Sequence, residues 1–99
     1  MSLELRWTEQ AVNQLGTIAE HISLASPIYA EQVVERLVTR LRQAQDFPAS
    51  GRLVPEMSRP ELRELIEAPY RVIYRVHPTA IEVVAILHGR QDLGAHLSG

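Results

Sequence analysis

Eight side chains in the second half of the sequence have the types needed to handle a phosphodiester: Arg52, Glu56, Arg59, Arg63, Arg71, His88, Arg90 and Asp92. Cleavage of RNA through its 2′-hydroxyl requires a base to take the proton, cations to hold the phosphate and an acid for the leaving oxygen. Glu56 or His88 could serve as base, and Arg71 and Arg90 could brace the phosphate. The spacing does not demand this chemistry, because the same groups would also suit a surface that pairs with a partner protein. All ten cations are arginine. An arginine fork pairs bidentately with carboxylate or phosphate, which lysine cannot do; biased codon usage is the bland source of the same composition.

Other chemistries find little support. His21, His77, His88 and His96 show neither HxxxH nor HxH spacing, and there is no cysteine, so neither a metal nor a cofactor is expected. The five glycines are scattered, with no phosphate loop and no GxSxG elbow. Without cysteine there are no disulfides, and the redox compartment stays open. A formal charge of −2 and a pI of about 6.1 argue against gripping nucleic acid by bulk positive charge. No apolar run is long enough for a membrane, and MSLELRW lacks the basic-then-apolar order of a signal peptide. A soluble, cytoplasmic chain forming one domain over residues 1–99 is expected.

The elements that must position these groups follow from periodicity. Leu3, Leu5 and Trp7 alternate with polar residues, giving a short strand. Thr8 suits an N-cap, and Val12, Leu15, Ile18, Ala19 and Ile22 recur at helical spacing, predicting a helix from about Glu9 to about Leu24. Ser26-Pro27 restarts the pattern, and Ala30, Val33, Val34, Leu37, Leu41 and Ala44 make the stripe of a second helix that stops before Phe47-Pro48. The short connection implies an αα-hairpin. Residues 48–60, PASGRLVPEMSRP, read as a loop. ELRELIE, 61–67, reads as a strand whose register is open, with Glu61, Glu64 and Glu67 on a solvated edge.

The last two strands, YRVIYRV (70–76) and IEVVAILH (81–88), flank the loop HPTA. Counted outward from a four-residue loop, Val76 faces Ile81, Tyr74 faces Val83, Val72 faces Ala85 and Tyr70 faces Leu87, an apolar face for the helices. On the other face Arg75 lies opposite Glu82, a ready structural partner. Arg71 lies opposite Ile86 with no carboxylate across the ladder, and His88 is its diagonal neighbour. Arg71 is therefore expected to look out from an accessible surface, with Arg90 continuing the same parity. The fold expected is α+β, β-α-α-β-β-β, with the helix hairpin on one face of a mostly antiparallel four-stranded sheet.

RWTEQAVNQL at the start, FPASGRLVPE before the sheet and LREL…PYRVIYRV…VVAILHGRQDL at the end, in this order, resemble the ParE/RelE superfamily of toxins from bacterial type II toxin–antitoxin modules, over nearly the whole chain. The resemblance implies a cytoplasmic toxin neutralised by direct binding of a small antitoxin, in a hetero-oligomer with it, and one of two targets. ParE-like members act on DNA gyrase. RelE-like members cut mRNA in the ribosomal A site without a metal. The RelE-like set maps onto Arg71 as the arginine of the YR pair, with Arg90 at the next basic position and His88 or His96 as a terminal histidine. The loop lysines are missing, although Arg52, Arg59 and Arg63 could substitute in charge, and the tail QDLGAHLSG has no tyrosine. The ParE-like branch is favoured, acting by binding through Arg52, Arg63, Arg71 and Arg90. The alternatives are a ribosome-dependent nuclease using Arg71, Arg90 and His88 with Glu56 as a possible base, and a non-toxic binding module of the same fold.

Overall fold

The computed structural model describes residues 2–89; Arg90, Asp92 and His96 lie outside the described residues. The chain runs β1 (Glu4–Trp7), α1 (Glu9–Ser23), α2 (Pro27–Asp46), a 3₁₀ turn (Pro48–Ser50), β2 (Arg52–Leu53), β3 (Leu62–Glu67), β4 (Tyr70–Val76) and β5 (Ala80–His88). The sheet order is β1-β5-β4-β3-β2, with β1 parallel to β5 and the other pairs antiparallel. The α+β class matches the expectation, but the strand count is five. The added strand, β2, falls in the stretch expected to be loop, and two residues are too few to leave a periodic signal.

The helix boundaries follow their caps. Thr8 accepts a hydrogen bond from the Ala11 amide and Ser26 from the Tyr29 amide, each satisfying an otherwise orphaned donor, and Pro27 occupies the first turn of α2. Both helices pack on one face of the sheet. Ala11, Val33, Leu37, Leu41 and Ala44 meet Leu65, Val72, Tyr74, Ile81, Val83 and Ile86 there. Tyr70, Val72, Tyr74 and Val76 thus point to the helices, as their alternation requires.

The second face is also covered. Val54 and Met57, from the segment between β2 and β3, pack over Leu62, Ile73, Ala85 and Leu87. The pairing of β5 explains why Ala85 and Leu87 lie here rather than under the helices. Tyr74 pairs with Val83 but Ile73 pairs with Ala85, so Val84 is an extra residue in a β-bulge. One extra residue inverts every later side chain. The expected pairs hold from Val76 to Tyr74 and fail beyond: Val72 faces Ile86, Arg71 faces Leu87, and Tyr70 faces His88.

The start of α1 occupies the bulge and supplies its hydrogen bonds. The Thr8 amide donates to Val83 O at 3.0 Å, and Gln10 Nε2 to Val84 O at 3.3 Å. The Ile86 amide donates to Gln14 Oε1 at 2.8 Å. A distortion that would strand buried backbone groups is thereby satisfied by polar residues on an otherwise apolar helix face.

Candidate functional site

The short turn between β3 and β4, Ala68-Pro69 with a cis peptide bond, fixes the register of this hairpin. Leu62, Glu64 and Ile66 then share the second face with Arg71, Ile73 and Arg75, and Glu64 lies diagonally across from Arg71. Glu64 is 1% exposed and Arg71 9%. The guanidinium is held from two sides. Arg71 Nε and Nη2 donate to Glu64 Oε2 at 2.9 and 2.6 Å. Nη1 and Nη2 donate to Glu56 Oε2 and Oε1 at 2.7 and 2.8 Å, a bidentate pair. Arg52 Nε donates to the other Glu64 oxygen. Two arginines and two glutamates thus form one neutral network, Arg52–Glu64–Arg71–Glu56.

The electrostatics follow from these contacts. The Arg71 fork holds the Glu56 carboxyl below its ordinary value, against the opposing effect of burial. The hydrogen bond to Glu56 in turn raises Arg71, with Glu64 adding to the effect and burial opposing it. A carboxylate so held is a weak proton acceptor, and an arginine whose fork is filled has little left for a phosphate.

Arg71 and Glu56 of this network line a cleft of about 640 Å³. Pro55, Ile66, Ala68, Pro69 and Tyr70 make its apolar walls, and Arg52, His88 and Gly89 reach its rim.

Arg52, Glu56, Arg71 and His88 thus share one cleft, but their contacts differ from those expected. Arg71 does not look out from an open surface; it lies opposite the helices, but the Val54–Pro60 segment roofs that face and Glu64 faces it from inside. His88 is moved by the bulge to the side of Tyr70, whose ring it meets edge-on at a centroid distance of 6.1 Å. Glu56 caps Arg71 instead of standing free as a base. Arg63 points to the helix side, where its Nη1 donates to Gly51 O at 3.1 Å, so it cannot join Arg52 and Arg71. Arg59 borders a separate hollow with Leu53, Met57 and Pro60. Arg75 does pair with Glu82 in the ladder, but Glu82 takes His77 at 3.1 Å, and among the described residues the buried Arg75 Nε has no partner.

Alternation alone does not reveal Glu64. With Glu61 and Glu67 it reads as a solvated edge, yet Glu64 is interior and Glu67 binds Arg36 and Arg40 of α2. Counting β3 outward from the Ala68-Pro69 turn would have set Glu64 beside Arg71. Among the described residues no cluster of three or more His, Cys, Asp or Glu is placed to hold a metal ion, and no helix is long and apolar enough to cross a membrane.

Residues 5–93 match the family described as the ParE toxin of the type II toxin–antitoxin system parDE. The chain belongs to the ParE toxin family. As such it is a type II toxin of the ParE/RelE superfamily. It is 33% identical over 88 residues to a candidate toxin of Sinorhizobium fredii, Y4kP, covering 89% of this chain and 90% of that one. It is 32% identical over 83 residues to toxin RelE2 of Caulobacter vibrioides, covering 83% and 90%. Among solved structures, a chain of the chromosomal ParDE toxin–antitoxin system of P. aeruginosa superposes with a TM-score of 0.71 at 27% identity, covering 88% of this chain and 96% of that chain. The helix hairpin on a mixed sheet is thus the ParE fold, and the Arg52–Glu64–Arg71–Glu56 network is how this ParE toxin fills its second face.

Proposed function

We propose that this ParE-family toxin stops growth by binding DNA gyrase, breaks no bond itself, and is neutralised by direct contact with a small antitoxin. The mutual occupation of Arg71, Glu56 and Glu64 supports the reading that it breaks no bond, and membership of the ParE family supports gyrase as the target. The arginine and acid that a nuclease would use for phosphate and proton are spent on each other. The P. aeruginosa relative comes from a ParDE toxin–antitoxin system, which supports an antitoxin for this chain.

Purified toxin should inhibit supercoiling by gyrase in vitro while leaving mRNA intact in a cell-free translation reaction. Cells expressing it without an antitoxin should filament and signal DNA damage. Cuts in mRNA at the A-site position, with gyrase unaffected, would overturn the proposal. They would instead assign the chain to the nuclease reading, for which the RelE2 relative of C. vibrioides speaks, with Arg71, Arg90, His88 and Glu56 as its residues. Healthy growth would leave a non-toxic binding module.

A further inference from the structure

Glu64 and Glu56 grip one guanidinium on unlike terms. Glu64 sits in the β3–β4 ladder opposite Ile73, its side chain is fully buried, and it also holds Arg52. Glu56 sits on the segment between β2 and β3, outside any ladder, and its side chain is 45% exposed. It covers the edge of Arg71 that faces the cleft. Were Glu56 to swing out, Arg52 and Arg71 would oppose Glu64 alone. The cleft floor would then carry one net positive charge and an open two-donor fork. Around that fork stand the apolar surfaces of Pro55, Pro69 and Ile66, the last 41% exposed.

A planar two-donor fork with apolar walls recognises a carboxylate flanked by apolar side chains. It suits a polyanion poorly, because Glu64 remains as a fixed negative charge beside the fork and the chain carries a formal −2. We propose that Glu56 is an internal stand-in for a partner's acidic side chain. An acidic and apolar segment of a partner polypeptide enters the cleft, and its carboxylate takes the place of Glu56 on Arg71. The exchange swaps one bidentate carboxylate for another, so Arg71 is never left unpaired, and Glu56 is released to water. It does not depend on which cellular target the toxin has.

The tethered carboxylate competes at an effective concentration on the order of millimolar. Removing it should tighten binding of an outside carboxylate by about tenfold or more. The test uses the full chain, the peptide acetyl-Leu-Glu-Leu-amide as probe, and the NMR signal of Arg71 Nε–H as readout. Glu56→Gln should bind the peptide about tenfold tighter than the wild type, and Ile66→Ser added to it should weaken binding several-fold. In the wild type, which needs no folding assumption, the peptide should raise the Glu56 carboxyl back toward its ordinary value. Equal binding by Glu56→Gln and wild type, equal binding of the glutamine version of the peptide, or no response of Glu56 overturns the proposal. So does inorganic phosphate or an oligouridylate shifting the Arg71 signal at lower concentration than the peptide, which would assign the fork to phosphate.

Discussion

Replacing Arg71 by alanine distinguishes an internal clamp from a working surface group. An exposed site arginine can be removed with little effect on folding. Here its removal leaves Glu64, fully buried, with Arg52 alone, and Arg52 has a side chain 62% exposed to water. Breaking a buried ion pair from one side costs about 3–5 kcal/mol. A chain of this size has a total stability of roughly 5–15 kcal/mol. At about 4–8 °C per kcal/mol for domains of this length, the melting temperature should fall by roughly 12–40 °C. Urea unfolding followed by far-ultraviolet circular dichroism measures the loss directly. Arg71→Met combined with Glu64→Gln removes both charges, and should be less damaging than Arg71→Ala by about 1–3 kcal/mol because no buried charge is orphaned. A loss below about 1 kcal/mol for Arg71→Ala, or a double variant no better than the single, would refute the clamp. Any fall in toxicity of Arg71→Ala has to be divided by the folded fraction before it is read as function.

Four further outcomes follow from named contacts. Glu56 titrates lower in the folded chain than its ordinary 4.5, so its clamp on Arg71 contributes fully above that value. The contribution disappears as pH falls through the lower folded value. Because Glu56 is nearly half exposed, the amplitude should stay under about 1 kcal/mol, seen as an acid-side loss of urea midpoint that Glu56→Gln lacks. Gln14→Ala leaves the Ile86 amide at the bulge without its acceptor, and should cost about 1–3 kcal/mol with faster hydrogen exchange at Ile86. Tyr74→Phe removes the hydroxyl that accepts from the Gly51 amide at 3.0 Å and donates to Pro48 O at 2.6 Å, again about 1–3 kcal/mol by urea titration. A methyl on Gly51 would lie 2.5 Å from that hydroxyl, so Gly51→Ala should cost less in the Tyr74→Phe background than in the wild type.

Much of the fold was legible because its signals are local. Thr8 and Ser26-Pro27 mark where helices begin, and periods of 3.6 and 2 separate α1 and α2 from β1, β4 and β5. The inward set of β4 was correct at every position. The two-residue strand β2 was not legible, being too short for any period. The bulge at Val84 was not legible either: VVAIL is apolar on both parities, so no side chain reveals where the extra residue lies. That one residue set His88 opposite Tyr70 instead of diagonal to Arg71.

The sequence by itself determined the class, the hairpin, the family and the opposition of Arg71 to the helices, because these depend on neighbours along the chain. Only the tertiary structure decided what Arg71 does. Glu56 arrives from a segment without period and Glu64 from a strand whose register periodicity leaves open. Their meeting depends on the β3–β4 turn and on how residues 54–60 lie across the sheet. A charged side chain's role is set by the carboxylates within about 3 Å of it, and that distance is a property of the packed chain, not of the spacing between letters.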